Sequence, residues 1–220
     1  MPLTDAQVRR YSRQLVMKEF TGAGQERLLA SRVLAYGSGT SLELCVLYLA
    51  AAGVGAVHVS SQERVAPALF SRAAALNPDC AVSTGAHGVR PDAAVDFAQD
   101  ASPAAVRQIA GALAAGIPYV KALHTGGAAA VMRWRHGAPC PGCLLNALGY
   151  RQSDLIGASD HGIAGPAAAA MVLTGLLGID QGAHQAVLLD APAGDYRELD
   201  VPAFDGCVLC RELDGGRGGA

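Results

Sequence analysis

Apolar positions recur along this chain with two different periods, and the alternation between them outlines a fold. Thr4-Asp5-Ala6-Gln7, a Thr with a Gln three residues on, reads as a capping box that opens an amphipathic helix through about residue 20. Gly22 and Gly24 interrupt it, and a short helix is predicted over 25–31. Arg32-Val33-Leu34-Ala35-Tyr36 has the length and composition of a buried strand and is ended by Gly37-Ser38-Gly39. Leucines and alanines at helical spacing over 40–52 stop at Gly53, a natural C-terminal cap. Val57-His58-Val59 follows as a second strand. Strand, glycine turn, helix and strand form a βαβ unit, the start of a parallel sheet covered by helices.

The alternation continues with a helix over 68–76, strands over 81–83 and 94–97, a helix over 103–115 closed by Gly116, and a strand over 118–122. Beyond it, 128–134 reads as a β segment, 166–177 as a helix, and 187–189 and 196–199 as antiparallel additions. The fold class is α/β, a mixed sheet with helices on both faces. One domain is expected over 1–214, made of N-terminal helices (4–31), a nucleotide-binding-like half (32–122) and a C-terminal half (123–214). The glycine-rich tail 215–220 reads as disordered.

Composition narrows the function classes. Of the 220 residues 51% are hydrophobic and only 16% charged, a balance that leans toward concealed surface and suggests an oligomer interface. Seventeen Lys and Arg against nineteen Asp and Glu leave a net charge of -2, no electrostatic footprint for nucleic acid or an anionic membrane. The N-terminal residues lack a cationic start followed by an apolar run, so no secretory leader is expected. The most apolar window, 164–179, is shorter than a membrane span and reads as a buried helix. A cytoplasmic location with reduced cysteines follows as an expectation.

Cys140-Pro141-Gly142-Cys143 and Cys207-Val208-Leu209-Cys210 are two C-x-x-C knuckles with 63 residues between them. Four thiolates in two tight pairs match a tetrahedral structural zinc site, and four protein ligands leave no position open for water. Neither knuckle is expected at a strand-to-helix turn that would activate a thiolate for redox work. Gly37-Ser38-Gly39 is a nucleotide-loop candidate in which Gly37 makes the turn and Gly39 admits a phosphate, although Leu42 stands where a third glycine would be. An acid about 20 positions on should hold a ribose, and Glu63 is the candidate. Cys45 and Cys80 read as buried small residues. His58, His124 and His136 have no partner at metal or catalytic spacing, and His161 with Asp154 and Asp160 could line a loop pocket.

Several motifs together resemble the ThiF/MoeB/HesA family, bacterial relatives of the ubiquitin-activating enzymes. They are Arg10-Tyr11-Ser12-Arg13-Gln14, Gly24-Gln25-Glu26-Arg27-Leu28-Leu29 with Arg32-Val33-Leu34, Gly37-x-Gly39, Tyr48-Leu49-Ala50-Ala51-Ala52-Gly53-Val54-Gly55, Ala75-Leu76-Asn77-Pro78 and the two knuckles. The resemblance implies a Rossmann-like fold that binds ATP and Mg, usually as a dimer, with zinc knuckles in the C-terminal region. It implies adenylation of the C-terminal glycine of a small ubiquitin-like or sulfur-carrier protein. Arg13 matches the family arginine that reaches a phosphate across the dimer interface.

The departures are as informative. Where the family has an Asp-x-Asp pair after the second strand, this chain has Ser61-Gln62-Glu63, which keeps only the second acid. Seventeen residues separate Val59 from Asn77, too few for the family's phosphate-contacting Asn-Leu-x-Arg-Gln segment and downstream Lys. In Asp96-Phe97-Ala98-Gln99-Asp100, Gln99 stands at the family's Mg-associated aspartate, and Asp100 could serve only after a one-residue slip. One preorganised donor is worth about 2.7–4 kcal/mol in a transition state, so losing several together weighs against catalysis. The expected function is a degenerate binding or partner subunit, as a homodimer or paired with an active family member, acting on a small carrier protein or peptide. The alternatives are an active adenylyltransferase with a rearranged ATP site and, more weakly, an NAD(P)-dependent oxidoreductase.

Overall fold

The structure, a computed structural model, describes residues 2–18, 20–61, 65–85, 90–98, 111, 116–125, 128–135, 137–149, 158–179, 185–191 and 193–215. Helix α1 spans Asp5–Leu15 and opens on the anticipated capping box, Thr4 accepting from the Gln7 backbone while the Gln7 side chain accepts from Thr4 N–H. It ends five residues before the predicted limit, at the Val16 cap. Helix α2, Gly22–Ala30, begins earlier than predicted because Thr21 caps it at Gly24 N–H and carries both glycines into its first turn. Strand β1 is Arg32–Tyr36 and helix α3 Thr40–Ala52, both with the predicted bounds. Gly53 ends α3 in the left-handed conformation, φ 91°, which only glycine adopts without strain.

There follow β2 (Ala56–Ser60), α4 (Pro67–Leu76), β3 (Ala81–Thr84), β4 (Ala93–Asp96), β5 (Tyr119–Thr125) and β6 (Ala128–Trp134). Then come α5 (Pro141–Ala147), α6 (Ala158–Leu177), β7 (Gln185–Asp190), β8 (Asp195–Glu198) and α7 (Val208–Gly215). The eight strands form one sheet in the order β3-β2-β1-β4-β5-β6-β7-β8. Every pair from β3 to β5 is parallel and every pair from β5 to β8 antiparallel, the mixed sheet that the pattern predicted. Helix α6 is longer than expected and holds Pro166 in its interior, where a helix start was read. The predicted helix over 103–115 lies, but for Gly111, outside the described residues, as does most of the tail.

One core cluster joins α3, α4 and α6 to one face of the sheet through Leu42, Val46, Leu49, Leu69, Val172 and their neighbours. On the other face a second cluster gathers Leu34, Tyr119, Leu123 and Trp134 with the knuckle cysteines. Gly165 lets α6 approach α3 closely, since a Cβ there would lie 2.5 Å from Ser41 O. Strand order reverses between β1 and β4, so the Gly37–Gly39 turn that leaves β1 emerges at the topological switch point, where open α/β sheets bind ligands. Among the described residues no helix is long and apolar enough to cross a membrane.

Candidate functional site

The turn after β1 is held by its neighbours rather than by its own side chains. Gly37 has φ 103°, and a Cβ on it would lie 2.8 Å from both Ala98 N and Phe97 C, so the turn rests on the backbone leaving β4. Gly39 caps α3 without a side-chain hydrogen bond, and a Cβ there would meet nothing within 4 Å. Among the described residues, nothing therefore obstructs this position at the N-terminus of α3, as an anion site requires. In its first turn Ser41 Oγ lies 2.9 Å from His124 Nε2, both residues buried. His124 therefore has a partner that the sequence could not show, 83 residues away across the sheet.

Directly below the turn lies a buried charged network. Asp96, the last residue of β4, is level with Lys121 on β5. Its Oδ2 accepts from Lys121 Nζ at 2.8 Å and from the Tyr119 hydroxyl at 2.5 Å, while its Oδ1 accepts from Ala98 N–H at 2.7 Å. Lys121 also donates to Ala98 O. Asp96 and Lys121 are each 1% exposed. Tyr36, the residue before Gly37, is level with Asp96 across β1 and β4, and burial and the Asp96 charge push its phenol up. A Lys inside an apolar strand could be found by eye, but its partner depends on strand register, which only the folded sheet reveals.

The other candidates disperse. Arg13 is exposed on the last turn of α1, whose Gln14 donates to Ala52 O at the C-terminal end of α3. That end lies roughly 18 Å along α3 from the glycine turn, beyond reach of this chain's own Arg13. Glu63, Gln99 and Asp100 lie outside the described residues, as does Asp154. Asp160 and His161 fall in the first turn of α6. Arg72 on α4 lies 3.9 Å from Glu43 in the first turn of α3. Cys45 and Cys80 are buried as predicted, and burial pushes both thiols up, Cys80 to about 11, so neither is a ready nucleophile.

The family's magnesium does not fit the described residues. Mg²⁺ is a hard cation that takes carboxylate and phosphate oxygens in near-ideal octahedral geometry. Asp96 offers its oxygens to three donors already, and the family's second acid is replaced by the neutral Gln99.

The four knuckle cysteines do converge. Cys140 Sγ lies 3.3 Å from both Cys207 and Cys210 and 3.9 Å from Cys143, and Cys143 lies 3.6 Å from Cys210. A tetrahedron with Zn–S of about 2.3 Å sets its sulfurs about 3.8 Å apart, so the four thiols can bind a metal ion such as zinc. Gly142 makes the room: a Cβ there would lie 2.9 Å from Cys207 Sγ. Cys140 caps α5 and Cys207 directly precedes α7. Helix N–H groups gathered around thiols favour the anionic form that a metal needs. Burial pushes the Cys140 thiol up. For Cys207 burial acts the same way but hydrogen bonds from the Cys210 backbone and the neighbouring sulfurs outweigh it, and the net shift is downward.

A parallel sheet with an antiparallel extension, a glycine turn at its switch point and four converging thiols define a Rossmann-like α/β fold of the ThiF/MoeB type. No protein-family model matches the chain. It is 29% identical over 245 aligned residues to the molybdopterin-synthase adenylyltransferase of Escherichia coli K12, covering 94% of this chain and 98% of that protein. To the sulfur carrier protein ThiS adenylyltransferase of the same organism it is 27% identical over 250 aligned residues, covering 94% and 97%. Its fold matches Escherichia coli MccB in complex with AMPCPP and MccA, with a TM-score of 0.72 at 15% identity over 91% of this chain and 74% of that one. The recognition made on the motifs is borne out, and the chain is a divergent relative of the ThiF/MoeB adenylyltransferases.

Proposed function

We propose that this chain is a catalytically degenerate relative of the adenylyltransferases, acting in the cytoplasm as a dimeric binding or partner subunit for a small sulfur-carrier or ubiquitin-like protein or a peptide. The dimer is either a homodimer or a pairing with an active family member. ThiS and MccA, named with two of its relatives, indicate the class of partner. The observation that carries the reading is the closure of Asp96, the acid beside the glycine turn, by Lys121, Tyr119 and Ala98 N–H, while the neutral Gln99 stands where the resemblance expects the Mg-associated acid. The short link from β2 to α4 supports it, for it has no length for the family's phosphate-gripping segment. A bound structural zinc, held by Cys140, Cys143, Cys207 and Cys210, belongs to the same proposal.

A second reading keeps activity through a rearranged site using Arg13 from a partner chain, Gly37, Gly39, Glu63 and Asp100. The N-terminus of α3, without a side-chain cap, and the lack of any obstruction at Gly39 among the described residues favour it. The oxidoreductase alternative loses ground to the similarity with adenylyltransferases across the whole chain. ATP–pyrophosphate exchange separates the first two. The pure protein with candidate carrier proteins should show exchange at background, and robust exchange would sink the degenerate reading.

A further inference from the structure

Asp96 poses an electrostatic problem that the surrounding residues solve without a metal. It ends β4 directly under the glycine turn, whose Gly37 rests on Phe97 and Ala98, the two residues after it. A bare carboxylate in this place would repel any phosphate seated on the turn. Two neutral donors, the Tyr119 hydroxyl and Ala98 N–H, already hold its carboxylate oxygens. Its opposite charge is Lys121 Nζ at 2.8 Å, itself 1% exposed and tied to Ala98 O. Buried ion pairs are costly when one partner is removed, because the other charge is then left uncompensated.

We propose that Lys121 is the resident cation of this site, standing in for a divalent metal beside Asp96, so that the Gly37–Gly39 turn binds the phosphates of an adenine nucleotide without any divalent cation. This rests on the turn still holding nucleotide, and it is independent of whether the bound nucleotide reacts.

The test is ATP binding by calorimetry to the full chain, in buffer stripped of divalent cations on chelating resin and again with excess magnesium, with zinc content checked in both. Wild-type affinities should agree within about twofold. In Lys121→Met, Asp96 loses its counter-charge, and ATP should bind at least about tenfold more weakly without magnesium and recover when magnesium is added. In the double variant Asp96→Asn with Lys121→Met no lone charge is buried, and metal-independent binding should return. ATP binding by the wild type only with magnesium overturns the proposal, as does no ATP binding in either buffer. Unchanged metal-free binding by a folded Lys121→Met overturns it too. If that single variant fails to fold, the double variant and the wild type still decide. Pyrophosphate exchange is read separately, so metal-free ATP binding accompanied by exchange would remove only the degenerate reading.

Discussion

Tyr11 shows how a residue from a sequence motif can be structural rather than chemical. Its hydroxyl donates to Asp79 at 3.0 Å and accepts from Asn77 Nδ2 at 3.0 Å. Burial, opposed by the bond to Asn77 and aided by Asp79, pushes the phenol up from 10.0 to about 12. The folded protein therefore keeps a proton that the unfolded chain releases, so Tyr11's contribution is complete below its unfolded value and is lost as pH rises through its folded one. Tyr11→Phe should cost about 1 kcal/mol near neutral pH. The gap between wild type and variant in urea unfolding should narrow on the way up to pH 12. A gap that stays constant across that range would show that the hydroxyl is not linked to folding. Lys121 and His124 form the opposite case, buried polar residues that belong to no motif yet pair with Asp96 and Ser41 at the ligand end of the sheet.

At the level of elements, the motifs that revealed the family meet at one helix end. Gln14 and Gln25 both donate to Ala52 O, and Asn77 Nδ2 donates to Ala50 O, so three side chains from three motifs satisfy the last carbonyls of α3. Gly53 completes the junction, because a Cβ there would lie 2.4 Å from Gln25 Nε2. These motifs aim α3, and with it the glycine turn at the other end. The α3–α6 contact is equally tight, and Gly165→Ala, whose methyl would strike the α3 backbone, should destabilise the protein by about 1–3 kcal/mol in denaturant titration. The knuckles fasten α5 to α7. Metal analysis should find one zinc per chain, lost in Cys140→Ser and Cys207→Ser. With free zinc a thousandfold above its Kd, that loss should lower stability by about 4 kcal/mol. Zinc-free protein of undiminished stability would refute the structural site.

On the scale of the whole molecule, the exposed apolar residues suit the proposed dimer. Val8, Val16 and Met17 lie on or just past α1, with Tyr48 on α3, and Val16 is 84% exposed. Arg13 lies in the same region, in the last turn of α1. Light scattering after gel filtration should give twice the chain mass, alone or with a family partner, and Val16→Asp with Met17→Asp should reduce it to one chain while leaving zinc content intact. A wild-type monomer that also fails to capture an active family member would refute the partner-subunit role. Arg13→Ala should leave stability within about 0.5 kcal/mol, since its side chain is exposed.

Local pattern determined much of this protein. β1, α3 and β6 have the bounds that hydrophobic period and glycine caps predicted, because those signals act within a few residues. The capping box and the two C-x-x-C knuckles were legible for the same reason. The eight residues of α6 ahead of Pro166 were not, since a proline reads as a start when burial against α3 is unseen. Nor were α5 and α7, whose short segments are fixed by the cysteine cluster more than by periodicity. Only the tertiary structure decided what the glycine turn rests on. Asp96 and Lys121 are 25 residues apart in sequence and become neighbours only through the register of β4 with β5. The sequence put an acid beside the ligand end of the sheet, and strand pairing gave that acid an ammonium partner, because buried charge must find its counter-charge wherever the fold brings one.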